Sequence, residues 1–453
     1  MSVARAPKTP AALRSAQAAD TAQAAPSLGV TDSPAVAPAG ALLGALALPW
    51  GVHALVVSLS AVGLHPLSGR GLPAAILAAA AAFSVTLAVR AGPRARPGGG
   101  VRADLGPHEE GWTVATLSWV LVAAATLGLL AALAAAVLLP VVAYDAIGYR
   151  LPTIASWLDA GRIAWVATDD PVRNGYPLGQ EAISAVVAAA TGTFRFAGAT
   201  SVVLVAPGAL AIHWAAASLG VRRSLARAAG ALFALCPMVI LNAPSGYVDA
   251  AFAGALVTLI SAATVLRTAG DRDLPVAVTV TGMAAALVLA LKGNGLGFAA
   301  IVAIALASSP TLRKHERGRR ALGLAALLAL PGAFWALRDV AHTGNPRWPV
   351  RIALGGHVLL PGVASMADIL DVSHNTPRAL DAFPGPLGTL ITWLQPIGPA
   401  RDFDDRAGGL GYAWPFAAVP AIVMATFRAV RRGASPFERR LGSLLLVTAA
   451  CFA

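Results

Sequence analysis

Long apolar runs separated by short polar or Gly/Pro-rich stretches set the rhythm of this chain. A helix needs about 20 apolar residues to cross a hydrocarbon core. Runs near that length occur at 41–63, 71–90, 113–143, 197–218, 228–243, 248–266, 275–291, 295–309, 321–340 and 412–428, and another starts at 441. They predict an all-α polytopic membrane protein with about eleven transmembrane helices. One apolar stretch breaks the pattern: 179–193, GQEAISAVVAAATGT, is short and opens on Gln180 and Glu181. It is expected to rest at the outer interface or to dip into it.

Two long segments, 144–196 and 341–411, are too rich in Pro, Gly and charge to be spans, yet they carry apolar patches. They are expected as large extracytoplasmic loops with interfacial helices. Residues 1–40 are rich in Ala, Pro, Ser and Thr, carry Arg5, Lys8 and Arg14, and hold no compact apolar core of a signal peptide. A disordered cytoplasmic tail is expected there, followed by a transmembrane domain over 41–453 that is cut within its last helix.

Composition fits this reading. Hydrophobic residues make up 57% of the 453 and charged ones only 12%, which excludes an ordinary soluble enzyme. The net charge of +12, from 34 Lys and Arg against 22 Asp and Glu, would suggest a nucleic-acid partner in a soluble chain. Here the basic clusters fall at 91–112, 219–227, 267–274, 310–320 and 429–440, and all share one side if the tail is cytoplasmic. The prediction is a multi-pass cell (plasma) membrane protein with no nucleic-acid partner. Cys236 and Cys451 lie within apolar runs and imply neither a disulfide nor a metal framework.

The threading brings polar residues to the opposite, outer face. Asp145 ends the third span, Asp249 begins the sixth, Lys292 ends the seventh, and Arg338 with Asp339 ends the ninth. A single charge at a helix end can snorkel to the headgroups, but four helices presenting such groups on one side point to a site for a polar or anionic substrate. After Asp145, Leu151, Ile154, Ala155 and Leu158 recur at helical spacing beside Trp157, and Pro152 suits a first turn. This segment predicts an amphipathic helix lying in the interface. A residue capping it would lie directly before Leu151, so Asp145 is expected to do something else.

These residues resemble a family. YDAIGYRLPTIASWLDAGRI, followed by NGYPLGQEAIS, is similar to the first outer loop of the GT-C membrane glycosyltransferases, in particular the bacterial protein-mannosyltransferase-like members. The Arg222-Arg223 turn, the Asp249 and Lys292 segments and RDVAHTGNPRWPV follow in the family's order, over about residues 113–350. Arg150 stands where the family usually has His, and Asp339 where Asn is common.

The resemblance implies transfer of a sugar from a polyprenyl-phosphate donor to a glycan, lipid or protein acceptor, with membrane lipids as further partners. It implies Asp145 as the general base; for that chemistry Lys292 and Arg338 are the candidates to stabilise the departing phosphate, and Asp249 is expected to hold sugar hydroxyls or to assist the base. Tyr149, Arg150 and Asn345, within the matching motifs, and Asp170, which with Asp169 shares the loop of Asp145, complete the expected substrate-binding set. No cofactor is certain; some family members need a divalent cation, but DFDD at 402–405 reads more simply as a solvated loop.

Two other classes stay open. A transporter or flippase of a lipid-linked or polar substrate would place its charges near mid-membrane and repeat its halves. A structural partner in envelope assembly would need none of the outer residues. GNGLG at 293–297 is not preceded by a strand and is not a phosphate loop; HEEG at 108–111 lacks the spacing of a zinc helix. His213, His342, His357 and His374 are not singled out by any motif.

Overall fold

A computed structural model describes residues 36–91, 112–269, 273–365, 410–412 and 414–431, with isolated positions 391, 394, 438 and 442. Contacts divide the chain into Met1–Ser33 and Pro34–Ala453, and every described residue belongs to the second unit. Of the tail expected at 1–40, residues 36–40 open the first helix instead; its remainder, the DFDD segment, most of the second long loop and nearly all of the run from 441 lie outside the described residues.

The protein is mostly helical. Among the described residues seven helices are long and apolar enough to cross a membrane: α1 (Val36–Ala61), α2 (Gly71–Ala91), α3 (Trp112–Leu138), α7 (Ala199–Ser218), α10 (Asp249–Thr268), α11 (Leu274–Leu291) and α14 (Glu316–Thr343). α8 (Arg223–Ala234) and α9 (Pro237–Asn242), which the 3-10 turn Ala243–Ser245 extends, meet at a bend of 46° and together have the length and composition of either a broken span or a re-entrant segment. Pro237 has no N–H to offer the preceding turn, so the straight crossing expected at 228–243 is broken there. The shorter α-helices among the described residues are α4 (Leu151–Ala160), α5 (Val172–Gly175), α6 (Gly179–Thr191), α12 (Gly295–Ala307), α13 (Pro310–Lys314) and α15 (Val419–Val430).

The expected eleven crossings are therefore not reached among the described residues. α12 has 13 residues, or about 20 Å at 1.5 Å per residue, short of a core about 30 Å thick. The third span was expected to reach residue 143, yet α3 ends at Leu138. Pro140 follows at once and cannot continue its hydrogen-bond ladder.

Close approaches fix the relative direction of three helix pairs. Gly44 and Gly51 of α1 face Ala88 and Ala80 of α2, an antiparallel pair. Gly254 in the first turns of α10 lies against Leu204 in the first turns of α7, so these two run parallel. Gly282 and Gly332 seat α11 and α14 side by side, again parallel. Small residues allow this because helices in a membrane gain from backbone proximity more than from apolar burial.

The resulting up-and-down threading puts Arg90, Arg222, Arg223, Arg267, Arg313 and Lys314 at one end of the bundle and Asp145, Asp249 and Lys292 at the other. The Asp145 end has basic residues of its own, but they are spread over long loops, and several face a carboxylate. α10 and α11 are buried nearly all round, as central helices should be. α3 instead exposes Leu117, Val120, Leu127 and Leu130, and α14 exposes Leu324, Leu327 and Leu330. Rows of this kind suit lipid and would be a liability in water.

Two expectations about the first long loop change. α6 is too short to span, as anticipated, but it does not rest on an interface: Gly179 through Val186 are all buried. It is an internal helix, packed among α1, α2, α4 and α11. α4 begins at Leu151 with Pro152 in its first turn, yet Trp157 is enclosed at 1% exposure and stacks on Trp335 of α14. The apolar face of α4 is turned into the protein instead of the lipid.

Beyond α14 a small sheet appears that the sequence pattern does not announce. β1 (Val350–Leu354) pairs antiparallel with β2 (His357–Leu360) and parallel with β3 (Ala364–Ser365). Asn345 pins its base: its Nδ2 donates to Val350 O at 2.8 Å and Pro361 O at 2.7 Å, while its Oδ1 accepts from Arg347 N at 2.8 Å.

The glycine contacts are testable. A Cβ on Gly254 would stand 2.2 Å from the Leu204 carbonyl oxygen, whereas one on Gly323 would meet nothing within 4 Å. Gly254→Ala should cost about 1–3 kcal/mol and lower the melting temperature in detergent. Gly323→Ala should leave it unchanged or raise it.

Candidate functional site

Asp145 stands seven residues beyond the end of α3, at the start of a single π-turn over Ala146–Arg150 that leads directly into α4. It caps nothing: no side-chain capping bond is made to the turn. Its Oδ2 instead accepts a hydrogen bond from the Tyr149 hydroxyl at 2.9 Å, as residues four apart on one helical face can. Asp145 is partly exposed and Tyr144 beside it is exposed.

The hydroxyl of Tyr149 is held from the other side. Arg150 Nη2 donates to it at 3.2 Å, and Arg150 Nη1 donates to Glu181 at the start of α6. Arg150 and Glu181 are both buried. Burial works against the guanidinium's charge, but Glu181 and Tyr149 together outweigh it and raise Arg150 above its ordinary value. For Tyr149, burial is the main cause of a strongly raised value; Arg150 opposes it and Asp145 adds to it. The phenol therefore keeps its proton and donates it to Asp145. A chain of contacts, Glu181 to Arg150 to Tyr149 to Asp145, runs from the interior to the surface.

Arg150 Nε, Gln180 Oε1 and Glu181 Oε2 have no partner among the described residues and belong to side chains that border a cavity of about 20 Å³. That is room for about one water molecule, the usual way such groups are satisfied.

Asp249 and Lys292 form the second group. Lys292 Nζ lies 2.5 Å from Asp249 Oδ1, with side chains 40% and 33% exposed. Arg347 joins them by donating to Gly293 O at 3.1 Å. This group adjoins the first: Gly246, in the turn leading to Asp249, has φ +86, and a Cβ there would stand 3.0 Å from Val141 Cγ1 and 3.1 Å from Ala146 Cβ. Those two residues flank Asp145.

Arg338 and Asp339 form a third, enclosed group. Arg338 Nε and Nη2 donate to Asp339 Oδ1 at 3.0 and 2.8 Å, and Nη2 also donates to Asn174 O. Its guanidinium lies over Trp335 at 4.9 Å and Trp165 at 5.4 Å. Exposed by only 8%, Arg338 is much less open to an incoming anion than Lys292.

Asp145, Tyr149 and Arg150 thus converge in one cluster, and Asp249 with Lys292 in an adjoining one. Arg338 is walled in, and Asn345 spends its amide on backbone groups. Asp170 sits in the loop before α5, half-buried, its backbone N donating to Thr168 Oγ1. Sequence reasoning missed Glu181, Asn174 and Arg347. Only Glu181 left a trace: a carboxylate opening an otherwise apolar helix needs a partner if that helix is buried. Among the described residues no three His, Cys, Asp or Glu side chains group closely enough to hold a metal ion.

Compared with family models, with curated proteins and with solved structures, the chain matches none. The likeness to GT-C enzymes rests on the motifs.

The two ion pairs should differ in weight. Glu181→Gln leaves Arg150 buried without its counter-charge and should cost about 3–5 kcal/mol. Asp249→Asn breaks a half-exposed pair worth about 0–1 kcal/mol. Chemical unfolding in detergent that ranked them equal, or in reverse, would contradict this assignment.

Proposed function

We propose that the protein is an integral membrane glycosyltransferase that uses a polyprenyl-phosphate-linked sugar, with Asp145 as general base at the end of the bundle opposite the clustered basic turns. The observation that carries this reading is a partly exposed carboxylate that caps no helix and is oriented by a proton-bearing phenol. The order of motifs shared with GT-C enzymes supplies the reaction class.

In the proposed reaction the acceptor hydroxyl gives its proton to Asp145 while its oxygen bonds to the anomeric carbon. The bond from that carbon to the phosphate oxygen breaks, and polyprenyl phosphate leaves with the electron pair. General-base help of this kind contributes about 10²–10⁴-fold. Lys292 is the exposed cation for the leaving phosphate, with Arg347 beside it, in preference to the enclosed Arg338. Asp249 holds Lys292 in place and is open enough to accept a hydrogen bond from a sugar hydroxyl. The face opposite the basic turns would be extracytoplasmic, in the cell membrane.

Transport of a lipid-linked or polar substrate is the second reading. It is favoured by polar groups buried within helices of membrane length, namely His53, Arg338 and Asp339.

The discriminating experiment incubates membranes containing the protein with radiolabelled polyprenyl-phosphate sugars and follows label into glycan, lipid and protein fractions. Asp145→Asn should reduce incorporation by about 10²–10⁴-fold with an unchanged melting temperature. Full activity in that variant would remove Asp145 as the base. Movement of label across reconstituted vesicles without a new glycosidic bond would favour transport.

A further inference from the structure

A groove of about 270 Å³ opens at the Asp145 end, between the α1–α2 turn, the end of α4 and the last turn of α6. Its walls are largely apolar: Leu67 from the turn, Leu158 from α4, Ala188 and Ala189 from α6, and Phe194 just beyond. Arg70 stands at its edge, its guanidinium laid so closely on Gly192 that a Cβ there would come within 2.5 Å of Nη2. The walls are tied together: Leu67 N donates to Gly161 O at 2.8 Å, and His65 Nδ1 meets Ala160 O at 3.0 Å.

The charges around this groove differ from those at the candidate site. Arg150, Lys292 and Arg338 each face a carboxylate. The Arg70 guanidinium makes no hydrogen bond or ion pair with any described residue, and neither does the exposed side chain of Arg195, next to Phe194. Asp159, the exposed neighbour of Leu158, leaves the local balance positive.

Depth supplies the last observation. Val62, Leu64 and Leu72, between and at the ends of α1 and α2, are 73%, 51% and 44% exposed. They stand at the joined ends of two helices of membrane length, and the end of such a helix is where hydrocarbon meets headgroups in a bilayer.

We propose that the groove binds an anionic phospholipid of the surrounding bilayer, its phosphate on Arg70 and the upper part of one acyl chain against Leu67, Leu158 and Phe194. A small soluble anion would use the cation and leave the walls idle; a neutral apolar ligand would do the reverse. A phospholipid at this depth uses both, and the guanidinium can meet phosphate oxygens in a fork. The volume is just below the roughly 300 Å³ at which pockets for whole small molecules begin. It suits part of a chain whose remainder lies in the bilayer. The site owes nothing to the role proposed for Asp145.

Native mass spectrometry of delipidated protein in a neutral detergent, titrated with phosphatidylglycerol or with phosphatidylcholine of the same chains, tests this. Phosphatidylglycerol should bind preferentially. Arg70→Gln should weaken it about tenfold, as loss of a charged hydrogen bond does. Ala189→Trp, which fills the groove, should remove the bound lipid. Arg90→Gln, at the opposite end of the bundle, should change nothing. Melting temperatures near that of the unaltered protein would show that the variants fold. Equal binding of the two lipids, or an Arg70→Gln protein that binds as before, would overturn the proposal. So would displacement of phosphatidylglycerol by polyprenyl phosphate at the same groove, which would make it a donor site.

Discussion

The buried pair of Arg150 and Glu181 is the interaction around which the Asp145 end is organised. Neither charge could stay inside the protein without the other, since a lone ion taken from water costs several kcal/mol even after relaxation. Together they fasten the π-turn after α3 to the start of α6, two segments 31 positions apart. Because Arg150 also donates to Tyr149, the same pair sets the direction of the phenol and, through it, of Asp145. Displacing α6 would therefore disturb a carboxylate that α6 does not carry.

Around that pair the bundle shows a division of labour. α10 and α11 form the interior and approach their neighbours through glycines, while α2, α3 and α14 turn rows of apolar side chains outward. The short helices of the first long loop serve neither purpose. α4 and α6 use their apolar faces to close the top of α1, α2 and α14 around Trp157 and Trp335. The cations Arg150, Arg338 and Lys292 are thus neutralised inside or paired at the rim, while Arg70 and Arg195 stand apart beside an apolar groove.

Much of the architecture was legible in the chain. Apolar length marks most of the helices, because a backbone in lipid must satisfy its own hydrogen bonds and a helix does so locally. Pro152 marks the start of α4. The spacing of Asp145 and Tyr149 could have indicated their contact, because residues four apart share a face. The shortened α3, the bend at Pro237 and the brief α12 were harder to read: hydropathy registers how apolar a run is, and not where its hydrogen-bond ladder stops. The sheet after Asn345 is too short and irregular for an alternating pattern to declare it.

What the sequence determined alone was local and compositional: a helical chain suited to lipid, with polar residues set at helix ends. Which polar residues face one another was decided by tertiary structure. Glu181 with Arg150, Asp249 with Lys292 and Arg347 with Gly293 are contacts between segments far apart in the chain, and no periodicity encodes them. The same holds for α6, whose apolar pattern would suit an interface or an interior equally well. Only the packing of α1, α2, α4 and α11 around it made it internal, and burial in turn gave its carboxylate a reason to pair.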